Sequence, residues 1–191
     1  LRTYGIRNNL RPRLETLIEA LYGHSAHATF FVTIKWLEKN QWLIPYLERF
    51  GHGIEPHGYR HKYYYNDPDI TLAYSDIKQA TQRYRELVGR KPRGFRAPYT
   101  GCSERPPEWY SALYAAGIEF DSSVWGPGKA PFIVPIRGLQ GIAGPAGITQ
   151  IPIHETDNNI AGNIAPHRIA EYWLAELEAA RLAGRPLHLD L

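Results

Sequence analysis

The feature that most constrains the fold of this chain is its repeated switch between the hydrophobic period of a strand and that of a helix. Short apolar runs rich in β-branched and aromatic residues predict strands, and they lie at 28–33, 94–98, 118–124, 148–153 and 187–191. Apolar residues spaced three and four apart predict helices at 12–22, 35–50, 71–88, 107–116 and 169–182. Repeated strand–helix units predict a parallel sheet or barrel of the α/β class, whose chemistry gathers at the carboxyl ends of the strands.

Two stretches depart from simple alternation. Asn40 and Pro45 interrupt the helical pattern of 35–50, which predicts two short helices there. The segment 126–147 is rich in Gly and Pro, so we predict a loop with little regular structure. Because the sequence has no internal repeat and no linker-like stretch, its 191 residues are predicted to form one domain.

Charge and apolar content exclude some classes of partner. The net charge is only +3, and acidic residues lie among the basic ones, so no nucleic-acid partner is predicted. No apolar stretch approaches the ~20 residues of a membrane span, so no transmembrane segment is predicted. Cys102 is the single cysteine and cannot form an internal disulfide, so both an extracytoplasmic and a cytoplasmic location stay open.

A pair of histidines in the segment GHGIEPHGYRH is the most informative local pattern. His57 and His61 are four residues apart, so one turn of helix would bring both imidazoles to the same side. Neutral imidazole is a common ligand of zinc and similar divalent ions. A metalloprotease of this spacing has Glu directly after the first histidine, and Gly58 excludes that class. Alone, such a pair is more often a coincidence of surface histidines than a metal site.

Four motifs occur in order along the chain: ATFFVT at 28–33, the histidine pair, GFRAPY at 94–99 and FDSSVW at 120–125. They resemble the successive motifs of the NodB-like polysaccharide deacetylases, carbohydrate esterase family four. The resemblance covers nearly the whole chain and implies a single deacetylase domain over 1–191, folded as a distorted, incomplete (β/α) barrel. It implies a metal-dependent hydrolase that removes an acyl group, most often N-acetyl, from an amino sugar in a polymer or glycoconjugate.

The resemblance also implies roles for residues of the second and third motifs. His57 and His61 match two of three protein ligands of one divalent ion, zinc or else cobalt or nickel, the third ligand being an Asp. In the family, water held by the ion attacks the amide carbonyl. Arg96 matches the arginine that orients the catalytic Asp, and the alternative is an ordinary surface cation. Tyr99 matches the residue whose backbone N–H stabilises the oxyanion, which makes it both a catalytic and a substrate-binding residue.

Further site residues follow from the later motifs. Asp121 is expected to support the site and Trp125 to line the groove for the acyl methyl group, with a turn cap and a core residue as the plainer alternatives. Tyr63 directly follows the histidines and is expected to stack on a sugar ring, with packing as an equal alternative. His188 on the last strand is the candidate general acid, unless that role belongs to a residue beyond Leu191.

One motif of the family has no counterpart in this sequence. The first motif is a strand end that carries acidic residues for the base and for the metal. Residues 1–27 contain no Asp, and their acids are Glu15 and Glu19 on the first predicted helix. We therefore expect an Asp-bearing strand just before Leu1 and further residues that complete the last strand after Leu191.

Two other functions stay open from the sequence alone. One is a carbohydrate-binding module that has lost catalysis, and the other is an amidase for a small non-sugar C–N bond. Metal content and turnover distinguish these from a deacetylase. The histidines without a surrounding motif are predicted to be ordinary ones: His24, His27, His52 and His167.

Overall fold

The computed structural model describes residues 10–63, 70–99, 104–127, 129–136, 147–156, 163–184 and 189–190. They contain both helices and strands, which supports the α/β class. The helices are α1 (Leu10–Gly23), α2 (Ile34–Leu37), α3 (Leu43–Arg49), α4 (Thr71–Val88), α5 (Pro107–Ala115) and α6 (Ile169–Leu182). The strands are β1 (Thr29–Val32), β2 (Gly53–Pro56), β3 (Gly94–Phe95), β4 (Phe120–Asp121), β5 (Phe132–Pro135), β6 (Gly147–Gln150), β7 (Glu155–Thr156) and β8 (Leu189–Asp190).

Parallel pairing dominates the strands. β1 pairs with β2 in parallel, with Thr29 opposite Gly53. β3, β4 and β6 form a parallel sheet in that order, β5 joins β6 in antiparallel orientation, and β7 pairs with β8. The backbone N–H of Arg96 donates to the carbonyl of Pro56 over 3.3 Å and links β3 to β2. Over the described residues these strands form three separate sheets and no closed ring.

Helix α4 connects the two halves of the hydrophobic core. Ala73 and Ile77 pack in one cluster with α5, β3 and β6. Ala80 and Tyr84, further along the same face, pack in a second cluster with α1, α2 and α3. Each of these four side chains is at most 1% exposed, as the spacing of three and four residues predicts. One face of α4 therefore packs against α5 in the first cluster and against α1, α2 and α3 in the second.

The predicted loop at 126–147 is wrong for part of its length, because β5 lies inside it. Residues Phe132–Pro135 pair with β6, and Pro135 lies opposite Gly147. A Cβ atom at Gly147 would come within 2.7 Å of the carbonyl oxygen of Val134, so glycine permits this close pairing. Residues 137–146 of the predicted loop lie outside the described residues.

The two short helices predicted within 35–50 are confirmed, but the break between them does not fall at Pro45. Pro45 is the third residue of α3, where its missing N–H group has no helical acceptor to lose. The break lies between Leu37 and Leu43, around Asn40, whose side-chain amide donates to the carbonyl of Trp36 over 2.9 Å.

Every helix in the described part of the chain is too short or too polar to cross a membrane.

Candidate active site

The histidine pair lies on a turn that follows β2, and the predicted helical turn is wrong there. Gly58 has a φ of 73°, in the left-handed region that a continuous helix does not use. The carbonyl of Gly58 accepts the N–H of Ile34 over 3.1 Å, and the carbonyl of Tyr59 accepts that of Lys35 over 3.0 Å. These N–H groups open α2 and have no partner within that helix, so they hold the turn carbonyls instead. We call residues 57–61 the histidine turn.

The turn nevertheless brings the two imidazoles together. The ring centroids of His57 and His61 are 5.2 Å apart, and the rings are tilted by 51°. Nδ1 of His57 lies 2.8 Å from the carbonyl oxygen of Arg96, and since a carbonyl only accepts, Nδ1 carries the proton. The neutral ring then has its lone pair on Nε2, the form in which imidazole binds metals.

The pair fits two ligand positions of a divalent ion. Side-by-side neutral imidazoles suit zinc, cobalt and nickel. Over the residues that the structure describes, no group of three or more His, Cys, Asp or Glu side chains lies together in a metal-binding arrangement. His57 and His61 are therefore candidates for part of a ligand set.

Arg96 is only 9% exposed, so it is not the surface cation considered as the alternative. Its Nε donates to the carbonyl of Ser122 over 3.1 Å, and its Nη2 donates to the hydroxyl of the same serine over 2.9 Å. The guanidinium lies over the ring of Phe31, 4.5 Å from its centroid. The hydrogen bonds to Ser122, directly after β4, and the aromatic face of Phe31 on β1 thus fix the plane of the guanidinium.

Tyr99 occupies an unusual backbone conformation beside the histidines. Its φ is 55°, which is uncommon for a residue with a side chain and is typical of functional sites. Its ring lies 4.5 Å from that of His61 and 5.4 Å from that of Tyr63. Tyr63 is 71% exposed and Tyr99 36% exposed. We call the three rings of His61, Tyr99 and Tyr63 the aromatic row.

Asp121 is fully buried and supports the GFRAPY segment indirectly. Its carboxylate accepts from the hydroxyl of Ser123 and from Nε1 of Trp109, and the same hydroxyl accepts the N–H of Ala97 over 2.8 Å. Burial raises the pKa of the Asp121 carboxyl to about 6, against the lowering effects of Ser123, Arg105 and Trp109. Asp121 is therefore joined to the backbone of the segment through Ser123.

The remaining predicted site residues are placed only in part. Trp125 follows β4, is half-buried, and forms a parallel bridge with Ile153. Its position at the carboxyl end of β4 matches that of Arg96 and Tyr99 after β3. His188 lies outside the described residues.

Several supporting residues escaped the sequence analysis. Phe31 and Ser122 hold Arg96 and stand inside the ATFFVT and FDSSVW motifs, but neither was predicted as a site residue. Asp76 interrupts the apolar face of α4, and this departure from the helical pattern is visible in the sequence. Glu55 interrupts a buried strand in the same way.

Glu55 joins β2 to β3 where backbone pairing is sparse. One carboxylate oxygen accepts the N–H groups of Arg93 and Gly94 over 2.9 and 3.1 Å, and the other accepts from Nη1 of Arg90 over 3.1 Å. Burial raises the pKa of the Glu55 carboxyl, although these donors act in the opposite direction. The strands that directly precede His57 and Arg96 are thus joined by the Glu55 side chain as well as by the backbone.

Comparison with known proteins identifies a family. Residues 8–118 match the sequence profile of the family described as polysaccharide deacetylase. No curated protein is significantly similar in sequence.

Solved structures share the fold at low sequence identity. A protein from Mycobacterium smegmatis described as a polysaccharide deacetylase has a TM-score of 0.70 at 22% identity, over 94% of this chain and 62% of its own. A Puue allantoinase has a TM-score of 0.70 at 18% identity, over 94% and 58%. A protein from Pseudomonas aeruginosa PAO1, also described as a polysaccharide deacetylase, has 0.69 at 20%, over 92% and 57%. The chain therefore spans about three fifths of the length of these proteins.

The two kinds of similarity carry different weight. At these identities the structures show a shared fold alone, whereas the sequence profile covers more than half of the 191 residues. The profile also spans the first three of the four motifs, up to and including GFRAPY. This chain belongs to the NodB-like polysaccharide deacetylases, carbohydrate esterase family four.

Proposed function

We propose that this chain is a metal-dependent hydrolase that removes an acyl group, most often N-acetyl, from an amino sugar of a polysaccharide or glycoconjugate. The observation that carries the proposal is the meeting of His57, His61 and Arg96 after two neighbouring strands. His57 donates to the carbonyl of Arg96 over 2.8 Å, and the ring of His61 lies 5.2 Å from that of His57. We further propose that the strands belong to the distorted, incomplete barrel of this family.

One divalent ion is part of the proposal. His57 and His61 would supply two of its ligands, with zinc as the first choice and cobalt or nickel as substitutes. When bound, such an ion supplies Lewis-acid chemistry, lowering the pKa of water and polarising the acyl carbonyl. The proton on Nδ1 of His57 is held by the Arg96 carbonyl, which keeps Nε2 in its ligating form.

The chain's own residues orient the reaction in this proposal. Arg96, fixed by Ser122 and Phe31, orients the carboxylate that acts as base. The backbone N–H of Tyr99 donates to the carbonyl oxygen as negative charge develops on it. His188 donates the proton to the leaving amine, as the last motif of the family implies.

The aromatic row is the proposed surface for the sugar. Tyr63 is 71% exposed and lies next to Tyr99, so its ring is available for stacking beside the histidines. Trp125 is the proposed wall for the acyl methyl group, since it is half-buried and follows β4.

The similarity in fold to a Puue allantoinase motivates a second candidate, an amidase for a small non-sugar C–N bond. A module that binds carbohydrate without turnover is a third outcome. All three use the same surface, so only product formation distinguishes them.

The test measures acetate and free amine after incubation of the zinc-, cobalt- or nickel-loaded protein with N-acetylated chitin and peptidoglycan oligosaccharides. We expect metal-dependent release that stops after chelation and in His61→Ala. The matched control is His24→Ala, an exposed histidine outside the turn, which should behave as wild type. Turnover of allantoin alone would favour the amidase, and sugar binding without any product would favour the binding module.

A further inference from the structure

An acidic residue in an unfavourable place points to a function for helix α4. Asp76 is the sixth residue of α4 and lies next to the buried Ile77. It is only 6% exposed. Asp is a poor residue in a helix interior, and a buried carboxylate is costly unless donors surround it. The helix alone therefore gives no reason for an Asp at this position.

One donor is a backbone group of the histidine turn. The N–H of Tyr59 donates to Oδ2 of Asp76 over 2.6 Å. This bond is short and its acceptor is charged, both marks of a strong hydrogen bond. Tyr59 stands two residues after His57 and two before His61, so Asp76 is bonded to the central residue of the turn.

Helix α4 holds the turn at a second point. The hydroxyl of Tyr59 donates to Glu38 over 3.4 Å, and Glu38 in turn pairs with Arg83 of α4 over 2.6 Å. The opposite side of the turn is held by the N–H groups of Ile34 and Lys35 at the start of α2. Hydrogen bonds thus hold the carbonyl of Gly58 and both the N–H and the carbonyl of Tyr59, two residues that lie between the histidines.

We propose that Asp76 is a positioning residue for the histidine pair: its carboxylate fixes the turn so that both imidazoles can bind one divalent ion. This inference rests on the proposed function, because it assumes that the pair binds metal. Asp76 acts through the Tyr59 amide and does not itself need to touch ion or substrate. Loss of such a partner behind a metal ligand typically lowers metal affinity by about 10- to 100-fold.

The experiment compares Asp76→Ala, Asp76→Asn and Thr81→Val with the wild-type chain. Asn keeps a carbonyl oxygen that can accept from Tyr59, so it should restore the function that Ala removes. Thr81 is a matched control: it is buried on the same helix, and its hydroxyl bonds to the carbonyl of Lys78 within α4. The measurements are Co²⁺ titration followed by visible absorption, zinc competition, and thermal unfolding of the metal-free proteins.

We expect Asp76→Ala to weaken Co²⁺ binding by about 10- to 100-fold, Asp76→Asn to stay within a few-fold of wild type, and Thr81→Val to lose stability without losing affinity. Unchanged affinity in Asp76→Ala, or equal losses in all three variants, would overturn the inference. If the wild type binds neither Co²⁺ nor zinc, the proposed function fails instead.

A second measurement needs neither metal nor a variant. Amide hydrogen exchange should show the Tyr59 N–H protected to the same degree as that of Lys35, because the Lys35 N–H of α2 is held by the carbonyl of the same turn residue. If Asp76→Ala does not fold, hydrogen exchange in the wild type and metal binding by Asp76→Asn still test whether Asp76 holds the turn. A Tyr59 amide that exchanges as fast as an open loop would show that Asp76 does not hold the turn.

Discussion

Two pairs of histidines stand at opposite ends of the same two-stranded sheet. His57 and His61 follow the carboxyl end of β2, with ring centroids 5.2 Å apart. His27 and His52 precede the amino ends of β1 and β2, with centroids 6.3 Å apart. The two separations are similar, so distance between rings does not distinguish a ligand pair from a structural pair.

The ring nitrogens make the difference. In His52, Nδ1 accepts the N–H of Ala28 over 3.3 Å, and Nε2 donates to the carbonyl of Ile18 over 3.4 Å. Backbone groups therefore use both nitrogens of this ring. In His57, Nδ1 donates to the carbonyl of Arg96, which leaves the lone pair on Nε2 in the neutral ring. In His52 a backbone N–H occupies the lone pair of the ring, whereas in His57 the backbone binds the proton and so fixes the tautomer, as partners behind a metal-ligating histidine do.

The largest expected effect separates the two pairs directly. His57→Ala should abolish stoichiometric metal binding, because it removes one of few protein ligands. Turnover should fall by more than about 100-fold, the upper end of the loss for a partner that stands behind a ligand. His52→Ala should keep the metal content of wild type. Metal analysis of both purified variants is the measurement, and equal metal content in the two would contradict the comparison.

Asp121 extends the comparison to a carboxylate. It lies at the carboxyl end of β4, and its oxygens accept hydrogen bonds from Ser123 and Trp109. Its pKa is raised from 3.8 to about 6, so between these values the folded state binds more protons than the unfolded state. Stability therefore falls as pH rises through this window, by at most about 3 kcal/mol. Asp121→Asn should lack this slope.

Urea unfolding of both proteins at a series of pH values from ~4 to ~7 measures the slope. The raised pKa of Glu55 acts alike in both proteins, so the difference between them isolates Asp121. Parallel curves over the whole range would show that Asp121 does not titrate differently in the folded state.

Arg96→Lys should lower turnover by about 100-fold while sparing the fold. Lysine lacks the planar fork that donates through two nitrogens to Ser122, and a point charge stacks less well on Phe31. The control is Arg93→Lys, whose side chain forms an exposed pair with Glu119. Steady-state kinetics on an acetylated oligosaccharide should show loss of kcat in the first variant alone. Near-normal turnover in Arg96→Lys would show that the guanidinium of Arg96 has no role in the reaction.

Local patterns predicted the order of the helices and of five strands, but β2, β5 and β7 were not among the predicted strands. The face of α4 that carries Ile77 and Tyr84 could be read from spacing alone, because each helix buries one stripe. Strand β5 could not, because its partner β6 lies beyond a Gly- and Pro-rich segment that favours loops. The histidine turn could not either: its carbonyls are held by N–H groups of α2, more than twenty residues earlier. What the sequence missed depends on contacts between distant segments.

The smallest expected effect concerns the amino-end pair. His52→Ala leaves the N–H of Ala28 and the carbonyl of Ile18 without their partner in a buried place, which costs about 1–3 kcal/mol for each group left unsatisfied. Water can enter part of the space, so we expect a total loss near 2 kcal/mol in the free energy of unfolding. His27→Ala is the matched control, because its ring is exposed and donates one bond, to the carbonyl of Gly51 over 3.1 Å. It should lose less than about 1 kcal/mol. Denaturant unfolding of the two variants tests the order, and an equal loss in both would mean that the second bond of His52 contributes nothing to holding α1 on the sheet.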